Sequence, residues 1–196
     1  MFSNLRQDLQ RYCDNLGYGT NPDFISKIIA ICKSPGYWAI VVHRFGFWIN
    51  SYFGNGYKNP LKLLFKLLYF TTKQFAVFLT KIEILVTADI GPGLFLSNQG
   101  NIILGLRRMG VNCTIHHNVT TGQGVEGETP EFGDNIWIGH DSVVYGALSI
   151  GGNTIIENGT VLAKSLPDNM VVGGNPCRIR NKNIKAGPYP INYQKN

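Results

Sequence analysis

Ile138-Gly-His-Asp-Ser-Val143, Ile150-Gly-Gly-Asn-Thr-Ile155 and Ile156-Glu-Asn-Gly-Thr-Val161 are three versions of one six-residue unit, with an aliphatic residue first, a small or acidic residue second and Ser or Thr fifth. An apolar residue recurs at this step through Phe132, Ile138, Val144, Ile150, Ile156 and Leu162. Upstream, Ile90, Leu96 and Ile102 keep the step, and Met109, Ile115 and Thr121 resume it after a one-residue slip at Arg107-Arg108. An amphipathic helix returns its apolar stripe every three or four residues, so a period of six is not helical. Gly, Asn and Asp between the aliphatics supply a turn in every unit. Short strands joined by turns therefore stack into a parallel β-solenoid. Three units make a triangular coil, each aliphatic points into a shared core, and successive coils pair about 4.8 Å apart. Spacing alone leaves the hand of the solenoid open.

Between Thr121 and Phe132 the step breaks at Gly122-Gln-Gly-Val-Glu-Gly-Glu-Thr-Pro-Glu131, which is too polar and glycine-rich for a coil face and reads as a loop thrown out from the solenoid. Upstream of Ile82 the pattern is helical: Asn4 to Leu16, an aromatic stretch from Tyr37 to Phe53, and Leu61 to Leu79. The chain thus divides into a helical region (1–81), a solenoid (82–180) and a tail (181–196). In the last helix Lys62, Lys66 and Lys73 fall within about 40° of one another on an otherwise apolar wheel. Three lysines exclude a transmembrane span and leave two readings: a helix lying in a lipid headgroup layer, or one covered by partner subunits with its lysines in solvent.

The 44% hydrophobic content suits one buried core, and 15% charged residues are too few for a disordered chain. Cys13, Cys32, Cys113 and Cys177 form no CxxC pair and follow no secretory signal, so a reducing cytoplasm is expected, without disulfides or zinc. The net charge of +6 sits at the two ends. Between Glu83 and Ala163 the only basic residues are Arg107 and Arg108, against eight acidic ones. No aromatic-basic interleaving of a nucleic-acid module is present, and anionic small molecules or a membrane surface fit better.

Of four histidines, His43 lies in the helical aromatic stretch and reads as structural. His116, His117 and His140 belong to the solenoid. Asn98, His117 and His140 each follow an inward aliphatic (Leu96, Ile115, Ile138) by two residues. With slip and loop absorbed at turns, they form a column along one edge, about 4.8 Å per step, beside the excursion loop. Histidine is the usual base near neutral pH for taking a hydroxyl proton. A metal site would need further ligands at matched spacing, and only Asp141 offers itself. Cys113 has no charged neighbour to make it a nucleophile.

Ile90-Gly-Pro-Gly-Leu-Phe-Leu96, Asn112-Cys-Thr-Ile-His-His-Asn-Val-Thr-Thr-Gly122, Gly133-Asp-Asn-Ile-Trp-Ile-Gly139 and Leu166-Pro-Asp-Asn-Met-Val-Val-Gly-Gly-Asn-Pro-Cys-Arg-Ile179 resemble the serine acetyltransferase branch of the hexapeptide acyltransferases, including related acetyltransferases of surface-polysaccharide clusters. The likeness runs from about Ile82 to Arg180. It implies a mainly β fold, a left-handed parallel β-helix with a helical N-terminal region, assembled as a homotrimer or a dimer of trimers with active sites in clefts between subunits. The chain departs from the family at three positions. The catalytic histidine of the family falls on Asn98, its supporting aspartate on Glu83 and a second histidine on Thr129. His117, or its neighbour His116, is the substitute base, with Asn98 holding acceptor or oxyanion. The resemblance places acetyl-CoA as co-substrate along the solenoid wall, near Gly146, Ala147, Ala163, Lys164, Arg178 and Arg180.

The expected activity is acetyl transfer from acetyl-CoA to a sugar hydroxyl of a surface polysaccharide or its precursor, at the inner face of the membrane. Serine O-acetylation by a rearranged site and a non-catalytic binding solenoid are the alternatives.

Overall fold

The computed structural model describes residues 2–53, 60–98, 100–124 and 127–182. The solenoid has three faces of stacked parallel strands. Face A holds β1 (Ile82–Ile84), β4 (Ile102–Leu104), β7 (Val119–Gly122), β10 (Val143–Tyr145) and β13 (Val161–Leu162). Face B holds β2 (Asp89–Ile90), β5 (Arg108–Met109), β8 (Glu131–Phe132) and β11 (Ser149–Ile150). Face C holds β3 (Phe95–Leu96), β6 (Thr114–Ile115), β9 (Trp137–Ile138), β12 (Ile155–Ile156) and β14 (Met170–Gly173), closed by antiparallel β15 (Arg178–Lys182). The last strand ends at Lys182, and residues 183–196 of the expected tail lie outside the described residues.

The repeat aliphatics are buried as expected. Leu96, Ile115, Ile138, Ile156 and Val172 stack along face C, and Ile90, Met109, Phe132 and Ile150 along face B. Ile102 is a correction. It pairs with Ile82, while Leu104 takes the place above Ile84. The register change is thus shared between two turns, with extra residues after Leu96 and a shortened connection between Leu104 and Met109. It is not a single slip at Arg107-Arg108. Both Ile102 and Leu104 are apolar and buried, so spacing alone did not separate them. The tight turns need left-handed backbone, which Asn and Asp tolerate: Asn112, Asn118, Asn135, Asp141, Asn153 and Asn169 all have positive φ. Their side chains run in ladders between coils, Asn135 donating to Asn153 (2.9 Å) and Asn153 to Asn169 (3.1 Å).

Four helices precede the solenoid: α1 (Phe2–Asn15), α2 (Phe24–Lys33), α3 (Pro35–Phe53) and α4 (Pro60–Thr80). Three follow the expected helical stretches; α2 was not anticipated. Asp8 of α1 and Arg44 of α3 are both buried and paired (3.2 Å). Asp8 accepts from the amides of Gly93 (2.8 Å) and Leu94 (2.9 Å), while Arg44 donates to the carbonyls of Ile90 and Gly91. Burial raises the Asp8 carboxyl above its ordinary value, and Arg44 and the two amides oppose that rise. The Tyr12 hydroxyl donates to the carbonyl of Leu96 and lies within hydrogen-bonding distance of its amide. The helices are in this way bolted to the first coil.

The lysine stripe of α4 is also a correction. Both readings of the sequence put these lysines at the surface, yet Lys62 is buried and Lys73 turns inward to Glu83. The outward half of the helix is instead Leu and Phe.

Candidate active site

The turns joining face C to face A form one edge of the prism. The register of Ile115 on Ile138 stacks His117 and His140 along it as expected, but the extra residues after Leu96 bring Gly100, not Asn98, against His117. The rings of His117 and His140 lie parallel, with centroids 5.0 Å apart and an interplanar angle of 1°. His140 Nδ1 is 2.7 Å from Asp141 Oδ2, and Asn118 Nδ2 donates to Asp141 Oδ1 (3.0 Å). The bonds from His140 and Asn118 hold the Asp141 carboxyl below its ordinary value. With Nδ1–H given to the carboxylate, His140 Nε2 keeps its lone pair and can accept a proton. Gly100 leaves room for this: a Cβ there would stand 2.7 Å from the His117 Cβ.

Asn98 lies outside the column and faces α3. Its Oδ1 accepts from the amide of Gly36 (3.2 Å) in the first turn of α3, doing from the solenoid what Ser34, whose buried Oγ has no partner, does not do. His116 packs its ring on Trp137 at 4.7 Å, off the line of the other two. Glu83 lies on the outer side of face A, in register with Ile103, and binds Lys73 Nζ at 2.9 Å; the structure does not bring it to the histidines. Burial pushes the Cys113 thiol up to about 12, which keeps it a neutral thiol.

The excursion loop leaves from the opposite edge of face A, between faces A and B. The sequence sets the histidine column beside it, but in one chain the two are separated by the width of face A, roughly 13 Å for a four-residue strand. The reason is topological, since His117 precedes β7 and the loop follows it. The loop lies beside Gly146: a Cβ on Gly124 would stand 2.8 Å from the Gly146 Cα. Thr129, Glu128 and Gln123 line a cleft of about 510 Å³ with Ala147, Ser149 and Arg107. Ala163 and Lys164 lie one coil further along the same edge, beside Tyr145 and Gly146. Four of the six residues expected to hold CoA are thus gathered there. Arg178 and Arg180 are on β15 of face C instead, Arg180 reaching Glu157 at 3.7 Å.

His140 and Asp141 were legible only in part. The repeat spacing places His140, while it offers Asp141 only as a lone potential metal ligand. Its signal was position, immediately after His140 in a turn whose αL backbone swings its carboxylate back to that ring.

No family model matches the chain. The chain is 29% identical over 149 residues to the serine acetyltransferase of Synechococcus elongatus, covering 74% of this chain and 57% of that protein. It is 28% identical over 197 residues to the serine acetyltransferase of Bacillus pumilus, covering 98% and 83%. The galactoside O-acetyltransferase of Escherichia coli is 32% identical over 65 residues, 33% of this chain and 32% of that protein. The chain spans about half the length of the first curated relatives it matches. Among solved structures, the Brucella abortus serine acetyltransferase superposes with a TM-score of 0.73 at 25% identity, covering 92% of this chain and 68% of that one. Its complex with Coenzyme A gives the same TM-score at 24% identity, covering 92% and 67%. The solenoid shares the left-handed parallel β-helix of these neighbours.

Proposed function

We propose that this chain, by repeat, fold and relatives a serine acetyltransferase-like hexapeptide-repeat acyltransferase, moves an acetyl group from acetyl-CoA to the hydroxyl of a small acceptor, with serine the first candidate. The observation that carries this reading is the His140–Asp141 pair, stacked on His117 along the edge where the family histidine would stand. His140 Nε2 takes the acceptor's hydroxyl proton as the oxygen attacks the thioester carbonyl. The tetrahedral oxyanion collapses with cleavage of the C–S bond, and the imidazolium returns the proton to the departing CoA sulfur. Asp141 holds the ring tautomer and steadies the imidazolium, and His117 supports the ring from one coil below.

The acetyl-CoA lies along the opposite edge, on Gly146, Ala147, Ala163 and Lys164, with the lysine meeting phosphate. Since the histidines and this edge are separated by face A in one chain, a homotrimer that sets one subunit's histidine edge against another's loop edge completes the site.

Sequence reasoning favoured a sugar hydroxyl. The relatives that span most of the chain favour serine, and the galactoside enzyme keeps a saccharide acceptor as the second reading. The test is CoA release from acetyl-CoA by the purified protein with L-serine or with galactosides, for wild type, His140→Ala, His117→Ala and Asp141→Asn. We expect turnover on serine, lowered about 10²–10⁴-fold in His140→Ala and less in Asp141→Asn. Full activity in His140→Ala would remove the assignment, and no turnover with any acceptor would leave a binding role.

A further inference from the structure

Helix α4 is amphipathic in the reverse sense for a surface helix. Lys62 and Lys73 turn toward the protein, and its outward arc, about 180° wide, carries Leu61, Leu64, Leu67, Phe70, Phe75 and Phe78, each at least half exposed. Only Thr71 and Gln74 interrupt that arc with polar groups. Contiguous apolar surface on this scale marks an interaction site, not ordinary surface. At 21 residues the helix is roughly 31 Å long. No single helix among the described residues is long and apolar enough to cross a membrane, so a lipid contact here lies in the plane of the surface.

Charge selects the occupant. From Phe24 to Ile82 the sequence contains no Asp or Glu and eight Lys and Arg; Arg44 and Lys73 are paired with Asp8 and Glu83 and Lys62 is buried, whereas Lys33 and Lys81 are exposed. At the end of α4, the Lys81 ammonium sits 5.2 Å over the Phe78 ring, a cation at the rim of the apolar face. A second copy of this face offers Lys81 no acidic residue from the segment to pair with, whereas anionic lipid headgroups complement it. We infer that α4 is a peripheral membrane-docking helix, its Leu and Phe side chains entering the headgroup boundary of an anionic bilayer and Lys81 pairing with lipid phosphate. This inference is independent of the acetyl-transfer reading.

The test is sedimentation of the full-length protein with vesicles of phosphatidylcholine alone or with 30% phosphatidylglycerol, comparing wild type, Leu64→Ser/Phe75→Ser/Phe78→Ser and Lys81→Ala, alongside light scattering and thermal melts. Expected are binding to the anionic vesicles that weakens with salt, at least about a tenfold loss in the triple variant, and about a fivefold loss in Lys81→Ala, with oligomer mass and melting temperature unchanged. Absence of binding to both vesicle types would overturn the inference, as would binding that the triple variant retains. So would a triple variant whose oligomer dissociates, which would mean that another subunit covers the face.

Discussion

His43 shows at the residue scale how burial sets a pH dependence. Burial, with Arg44 beside it adding to the effect, lowers its pKa to about 3, so it is neutral in the folded protein. An unfolded histidine titrates near about 6.5. The folded value is depressed, so the stabilisation is complete above about pH 6.5 and is lost as pH falls toward about 3, at up to about 1.4 kcal/mol per pH unit. His43→Phe is expected to lose roughly 2 kcal/mol less than wild type between pH 6.5 and 4.5, read as the difference between two denaturant-midpoint series. The His140–Asp141 contact belongs to this scale too. One residue in αL conformation decides whether a turn carboxylate faces solvent or an imidazole, and no spacing rule states that outcome.

At the scale of elements, α3 starts with Pro35, which suits a first helical position, but its cap comes from the solenoid through Asn98. Asn98→Ala is expected to cost about 1 kcal/mol, checked by urea denaturation, with a kcat lesion far smaller than that of His140→Ala. Gly36 is constrained by the same junction: a Cβ would meet the Leu96 carbonyl oxygen at 2.5 Å and the Tyr12 hydroxyl at 2.7 Å. Gly36→Ala should therefore destabilise by about 1–3 kcal/mol, measured the same way, because the Leu96 backbone carbonyl and the buried Tyr12 hydroxyl bonded to it leave little room to give way. Asn98 is thus part of a helix seat.

At the scale of the whole molecule, the Asp8–Arg44 pair joins two helices to the first coil through groups with almost no access to water. Asp8→Ala strands the arginine charge and is expected to cost about 3–5 kcal/mol, whereas Asp8→Ala combined with Arg44→Met should recover much of the loss, since both charges are then gone. Thermal melts of the three proteins check this. A rigidly seated helical region also fixes which face of α4 looks outward, and hence the lipid contact inferred for it.

The six-residue step alone carries the solenoid, its triangular coil and the stacking of His117 on His140. Each of these depends on contacts between neighbouring coils that repeat the same short spacing, so one periodicity encodes them all. Ile102 against Leu104 shows the limit, where two apolar residues competed for one inward place and only pairing with β1 chose between them. Tertiary structure alone decided the inward turn of Lys62 and Lys73, the use of Asn98 as a cap, the burial of Asp8 with Arg44 and the separation of the loop from the histidines. These rest on single contacts between residues far apart in the chain, made once and without a period to announce them.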